Sequence, residues 1–292
     1  MTHERLGPYG VWLNLLLPPN EARASAREVE QLGFAAVWIG ENNVSGDIVA
    51  STSVLLAATD RIVVASGIMN IWGRDAVSAA HAAAYLGGAY PGRFVLGLGA
   101  SHQSVVDRRG HKYAKPLTAM ADYLDAIDSA DYALPAPVPK VSRVLAALRP
   151  KMIELARERA DGVHPYLTTP EHTAAARRIV GPDRLVAPEQ KVLLERDPAV
   201  ARRVARATVG YYLDLPNYVN NLRVLGFSDD DFSDGGSDRL IDSLVAWGDV
   251  DAIEKRLRSH LDAGADHVAI QVLQSGGATV AGVLGELAPA LL

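Results

Sequence analysis

Gly92-Arg93-Phe94-Val95-Leu96-Gly97-Leu98-Gly99-Ala100-Ser101-His102 is a short apolar run, punctuated by alternate glycines, that closes on a serine and a histidine. Bounded apolar runs of this length read as buried strands. Strand glycines carry no side chain, so another backbone or a flat ligand can approach closely. Parallel α/β folds place their chemistry at the carboxyl ends of strands, where Ser101 and His102 fall.

Working outward, strand-like and helix-like segments alternate. Upstream, strands are expected over Tyr9–Leu15, Ala35–Gly40 and Ile62–Ile68, with helices over Glu21–Leu32, Asp47–Thr59 and Ala76–Ala89. Gly33 ends the first helix as a C′ glycine, and Asp47 opens the second as an N-cap. Downstream, the pattern predicts helices over Leu117–Ile127, Pro150–Ala160, Pro170–Val180, Pro198–Tyr212 and Asp249–Ala263. Strands are expected over Val141–Leu148, Gly162–Leu167, Val192–Glu195 and His267–Leu273. About eight strands in one βα series predict a closed (β/α)8 TIM barrel occupying residues 1–292 as a single domain. Asn217–Trp247 reads as a helix-rich insertion near the barrel mouth, and its acidic stretch Ser228–Asp238 as a solvated loop rather than a metal site.

Composition narrows the function classes. Of the 292 residues, 49% are hydrophobic and 22% charged, enough apolar material for one large core. A formal charge of −5 with no basic stripe disfavours a nucleic-acid surface. The absence of cysteine removes disulfides, thiolate nucleophiles and zinc-thiolate sites, and suits the cytoplasm. The apolar run Val11–Leu17 is broken by Asn14, stopped by Pro18-Pro19 and too short to span a bilayer, so it reads as a buried first strand. His-Glu-x-x-His, Walker and Gly-x-Ser-x-Gly motifs are absent, Gly97-x-Gly99 lacks the nicotinamide-fingerprint spacing, and no lysine stands clearly at a strand end for Schiff-base chemistry.

Several local patterns occur in an order that resembles the bacterial-luciferase-like superfamily of barrels. Gln31-Leu32-Gly33-Phe34-Ala35-Ala36-Val37-Trp38-Ile39-Gly40-Glu41 is similar to its first helix and second strand, Thr59–Ile68 to its third strand and Pro91–Gly99 to its fourth. Ala156–Gly162 and Ala263–Val268 resemble later family patterns. Within the superfamily, the chain resembles the branch of oxidoreductases that use the deazaflavin coenzyme F420, with FMN the alternative cofactor. The resemblance implies hydride transfer between the coenzyme and a small organic substrate, in a homodimer without membrane or nucleic-acid partners. An FMN-dependent monooxygenase and a non-catalytic flavin-binding barrel are the alternatives.

The resemblance also implies a site. A non-prolyl cis peptide is expected at Gly67–Ile68, after Ser66, pressing on the coenzyme ring. Glu41 and His102 are the expected proton-handling residues at the carboxyl face, where burial would raise a carboxylate's pKa. Asn70 could donate to a ring oxygen or simply form a turn. Asn14 enters as a polar residue inside an apolar strand, in need of a partner. Trp12 and Trp72 read as core or as a floor for a planar ligand. Gly99 and Ser101 flank the fourth strand's end. Leu148 and Arg149 precede the N-terminus of the helix Pro150–Ala160, an available phosphate site. Asp161 and Gly162 lie at the start of the sixth strand and are expected to complete the pocket wall. His164 and Tyr166 are expected on that strand as pocket lining or core, and no metal is expected.

Overall fold

The computed structural model describes residues 5–14 and 16–292. Eleven strands form one sheet: β1 (Tyr9–Leu13), β2 (Ala36–Ile39), β3 (Val63–Ser66), β4 (Met69–Asn70), β5 (Phe94–Gly99), β6 (Ser142–Leu145), β7 (Gly162–Val163), β8 (Leu185–Val186), β9 (Glu189–Leu194), β10 (Val245–Gly248) and β11 (Val268–Val272). All pairings are parallel, and the neighbours run β10-β9-β11-β1-β2-β3-β5-β6-β7-β8. β8 and β9 are two halves of one stave. Pro188 between them has no N–H to give to a ladder. The first half bonds β7, and the second bonds β11. The cycle thereby closes on eight staves, the barrel expected from the βα alternation.

Inward-facing residues fill the barrel, in keeping with the two-residue period of strands. Ala36, Trp38, Val63, Ala65, Val95, Val144, Leu185, Ala187 and Ala269 pack together inside, with Leu6 among them. Trp38 stacks on His164 at 4.2 Å between ring centroids and donates its indole N–H to His267 Nε2 (2.9 Å). His267 Nδ1 in turn lies 2.8 Å from the Gly7 carbonyl, so both its nitrogens are committed. The alternate set, including Val37, Ile39, Val64 and Leu96, packs outward against the helices.

Several boundaries differ from the expectation. β1 stops at Leu13, leaving Asn14, Leu16 and Leu17 exposed at the stave's carboxyl end rather than inside a strand. Leu15, the expected end of that strand, lies outside the described residues. β7 covers only two residues because Pro165 stops its ladder, and the seventh stave begins at Leu185, earlier than expected. The 217–247 segment is not wholly helix and loop: its end is the strand β10, joined to β9. Within it, Asp231 is buried, taking the N–H of Ser228 and pairing with Arg239, so the acidic stretch is anchored and not simply solvated. The C-terminal helix Val280–Leu291 packs Leu284 and Leu287 into the outer core and was not anticipated.

Candidate active site

At the carboxyl end of β3, the peptide joining Gly67 to Ile68 is cis, at the predicted position. The bulge is stitched to its neighbours by backbone bonds. Gly67 N–H donates to the Ile39 carbonyl (2.6 Å), and Glu41 N–H donates to the Ile68 carbonyl (3.2 Å). The chain then resumes as β4 beside β5.

The alternate glycines of β5 serve this bulge. A β-carbon on Gly97 would overlap the Ser66 carbonyl, and one on Gly99 would overlap the Ile68 side chain. Close approach of protein, not of a ligand, therefore explains both. Ser66 is likewise structural: its hydroxyl donates to the Gly97 carbonyl (2.9 Å) and accepts the Gly97 N–H (2.8 Å), and it is fully buried. Its hydroxyl proton and one of its two lone pairs are thus committed to β5.

Gly67 is bare on the side facing the barrel interior. A β-carbon there would stand 2.9 Å from His164 Nε2 and 3.1 Å from Trp12 Nε1. Both nitrogens are buried without a protein partner. His164 Nδ1 lies 2.7 Å from the Ala187 carbonyl, and burial pushes the imidazole pKa down to about 4. The ring is thus neutral near pH 7, its proton on Nδ1 and a lone pair on Nε2. A buried donor and a buried acceptor therefore press against Gly67 behind the bulge, each without a protein partner.

Glu41 stands after β2, its side chain only 8% exposed. Oε2 accepts the Asn70 N–H (2.8 Å), and Oε1 faces the Arg109 guanidinium (3.1 Å). Burial raises the carboxyl pKa, against the opposing pull of the Asn70 amide and Arg109. Arg109 is held by Asn43 Oδ1 (2.8 Å). Gly73 keeps the space clear, since a β-carbon there would press on Glu41 Oε1 and Arg109. Asn70 is 2% exposed and its Oδ1 accepts the Trp72 N–H (3.1 Å), so its carbonyl makes a local turn.

His102 begins the short helix Gln103–Arg108, which periodicity did not reveal. Its Nδ1 lies 3.0 Å from Asn217 Oδ1, and its ring packs 5.3 Å from Tyr218. With the asparagine oxygen as acceptor, Nδ1 carries the proton and Nε2 offers a lone pair. Burial lowers the imidazole pKa, partly opposed by Asn217. Both partners come from the helix Pro216–Val224, so the late insertion does reach the mouth. Ser101 adopts φ 58°, and its carbonyl accepts the Tyr113 hydroxyl (3.4 Å), while the Ala100 carbonyl accepts the Trp72 indole N–H (3.1 Å).

The remaining expected residues divide. Leu148 offers its carbonyl to His172 Nε2 (2.7 Å), and Arg149 is exposed as the N-cap of the helix Pro150–Arg159. Asn14 is at the mouth but exposed, so the argument from a buried polar group fails for it. Asp161 and Gly162 lie at the amino end of β7, away from the other candidates. Asp161 Oδ2 accepts the Arg143 N–H (2.8 Å), and a Gly162 β-carbon would overlap Leu185. Both fix the start of the strand against its neighbours. Asp161 also lines a cavity of about 740 Å³ beside the amino ends of β6 and β7, which includes none of the mouth residues.

Sequence reasoning missed Arg109, Asn217 and a buried charge pair. Lys191, fully buried on β9, gives its ammonium to Glu189 Oε1 (3.0 Å) and lies 3.9 Å from the Tyr166 ring centroid. Tyr166 donates to Gln271 Oε1 (2.8 Å) and shares a hydrogen bond with the Tyr212 hydroxyl (2.9 Å). The signal was present: Glu189-x-Lys191 puts two opposite charges on one face of a strand that ends in Val192-Leu193-Leu194. Among the described residues no group of three His, Cys, Asp or Glu side chains could hold a metal ion, and no helix is long and apolar enough to cross a membrane.

Comparison with known proteins follows the same lines. The family model described as luciferase-like monooxygenase matches residues 4–267. A 5,10-methylenetetrahydromethanopterin reductase from Methanolobus tindarius is 28% identical over 212 residues. That alignment covers 64% of this chain, and the chain spans 65% of the relative's length. A solved F420-dependent secondary alcohol dehydrogenase, in complex with an F420–acetone adduct, has a TM-score of 0.80 at 17% identity, covering 98% of this chain and 99% of that one. A coenzyme F420-dependent tetrahydromethanopterin reductase from Methanopyrus kandleri gives 0.79 at 17% identity, with the same coverage. The two structures share the fold of this chain.

Proposed function

Given that the chain belongs to the luciferase-like monooxygenase family, we propose that it is an F420-dependent oxidoreductase, transferring hydride between the deazaflavin and a small organic substrate. The observation that carries this reading is the pair of buried, unpartnered nitrogens of Trp12 and His164 behind the Gly67–Ile68 bulge, with Glu41 bonded to the same bulge. These residues suit a planar group at the mouth, since the bulge offers backbone on one side and an aromatic wall rises nearby. Trp12, Tyr166 and Tyr218 are spaced at 5.7 and 6.3 Å between successive ring centroids. The coenzyme named for the solved alcohol dehydrogenase and for the solved tetrahydromethanopterin reductase supports the same choice.

Gly67, Ile68 and Asn70 would hold the ring, and Ser101, Leu148 and Arg149 the chain beyond it, with the N-terminus of the helix Pro150–Arg159 offering N–H groups to a phosphate. The deazaflavin supplies the hydride acceptor or donor, and it does so without activating oxygen as FMN does. The protein orients the reacting groups, excludes water and manages one proton. His102 Nε2 has the lone pair needed to take a proton from an alcohol. Glu41, its pKa raised by burial, holds a proton to higher pH than an ordinary carboxylate and can deliver it to a carbonyl oxygen. The alanine-rich helix Ala76–Ala89 leaves Val77 and Tyr85 exposed, and this is the face we assign to a homodimer working in the cytoplasm.

An anaerobic screen of small alcohols and carbonyl compounds tests the reading by following the visible absorbance of the coenzyme. Turnover with F420 and no oxygen demand is the expected result. Oxygen consumption with reduced FMN and none with F420 would support the monooxygenase alternative instead.

A further inference from the structure

Four aromatic side chains meet beside the mouth, and one of them leaves its polar end unused. Tyr212 packs edge-on against Tyr218 at 5.2 Å between ring centroids, Tyr166 lies 5.5 and 6.3 Å from the two, and His102 lies 5.3 Å from Tyr218. The hydroxyls of Tyr166 and Tyr212 bond to each other, and Tyr166 also donates to Gln271. Tyr218 is only 7% exposed, and among the described residues its hydroxyl makes no hydrogen bond. The Glu189 carboxylate is no partner for it, being held by Lys191 Nζ (3.0 Å) and the Leu167 N–H (3.1 Å). Nor is the hydroxyl sealed in, as Trp12 Nε1 and His164 Nε2 are, so it borders open space. A buried phenol ordinarily finds an acceptor, and one left free at the edge of a site marks a place for a ligand atom.

Its position gives that ligand atom a second contact. Tyr218 follows Asn217 on the helix Pro216–Val224, and Asn217 Oδ1 holds His102 Nδ1 (3.0 Å). The Nε2 lone pair of His102 is thereby turned away from the asparagine, beside the Tyr218 ring. Two consecutive helix residues therefore set both an acceptor and a donor. Burial pushes the Tyr218 pKa well above the ordinary 10 and the His102 pKa below 6.5. Near pH 7 the phenol keeps its proton and the imidazole is free to accept one.

We propose that Tyr218 is a further catalytic residue, its hydroxyl donating to the substrate oxygen while His102 Nε2 faces the same atom. The inference rests on the F420 reading of the site. In alcohol oxidation the O–H proton passes to His102 Nε2. The carbinol hydrogen leaves with its electron pair as hydride to the oxidised deazaflavin, so the alcohol is oxidised as the coenzyme is reduced. The C–O bond becomes a carbonyl, and Tyr218 keeps its proton throughout, stabilising the negative charge that grows on the oxygen. The same pair suits a primary amide, whose carbonyl accepts from Tyr218 and whose N–H donates to His102.

Isobutyramide, an unreactive mimic of a small carbonyl compound, is the probe. Its affinity is measured by titration calorimetry with and without saturating oxidised F420, for the parent, Tyr218→Phe and Tyr211→Phe. Binding of F420 itself is followed by fluorescence quenching. Tyr218→Phe is expected to bind the amide about tenfold more weakly, since one hydrogen bond to the ligand is lost. It is expected to keep the parent's melting midpoint and F420 affinity, because the deleted hydroxyl has no protein partner. Tyr211→Phe removes an exposed hydroxyl from the helix Pro198–Leu213 and is expected to leave amide affinity unchanged. Equal amide binding by the parent and Tyr218→Phe, or none by the parent, would overturn the role of Tyr218. A lowered melting midpoint in Tyr218→Phe would make the hydroxyl structural and overturn it too. Failure of F420 to bind would overturn the coenzyme reading, while the amide titration of the free protein still decides the Tyr218 contact.

Discussion

Arg109 reaches back from the loop after β5 to hold Glu41, its guanidinium 3.1 Å from Oε1, while the Asn70 N–H occupies the other oxygen. The pairing joins two segments 68 residues apart and leaves the carboxylate between opposing influences. Burial raises its pKa, and Arg109 and Asn70 lower it.

Removing the guanidinium therefore has a definite sign. In Arg109→Ala, burial acts with less opposition, and the Glu41 pKa rises further. If Glu41 delivers a proton, carbonyl reduction falls as pH climbs through that pKa. The falling limb of the rate profile is expected to move to higher pH in the variant. A limb that stays in place would remove Glu41 from this role.

Gly99 is the position where the fourth stave tolerates no side chain, because Ile68 occupies the space. Gly99→Ala must displace Ile68, and overpacking of this kind costs about 1–3 kcal/mol. Coenzyme affinity is expected to drop about tenfold or more, since the bulge moves. Thermal melting and a binding titration on the same sample separate the two effects.

The Lys191–Glu189 pair makes a contrasting case. Lys191→Met leaves the Glu189 carboxylate buried with the Leu167 N–H as its remaining bond, at a cost of about 3–5 kcal/mol. Replacing both, as Lys191→Met with Glu189→Gln, is expected to recover most of that loss in urea unfolding. Equal destabilisation by the single and double changes would contradict the account of the pair.

Four buried histidines, His172 among them, weaken the fold in acid. His164 and His267 are pushed to about 4 and His260 to about 3 by burial, from an ordinary 6.5. A lowered folded-state pKa means the unfolded chain binds more protons below pH 6.5. Their contribution is fully present above that value and is lost as pH falls toward their folded values. Unfolding midpoints in urea are expected to decline steadily from pH 6.5 to pH 4.

Much of the barrel was legible because each stave and helix carries its own local signal. Ala76–Ala89, Phe94–Gly99 and Pro170–Val180 fall where periodicity and capping put them. The cis peptide came from the family pattern of the third strand; an apolar strand with one glycine carries no local mark of it. What the sequence concealed depends on contacts across the chain. Arg109 meets Glu41 only because the loop after β5 folds toward β2, and Asn217 meets His102 only through the late insertion. Asp161 meets the Arg143 N–H, and Gly162 meets Leu185, through strand register that the sequence does not display.

The most direct test of the coenzyme assignment is a paired titration of the purified protein with oxidised F420 and with FMN, followed by fluorescence quenching. The account expects saturable, tight binding of F420 and weak binding of FMN. Tight FMN binding with weak F420 binding would contradict it and point to oxygen chemistry at the same bulge.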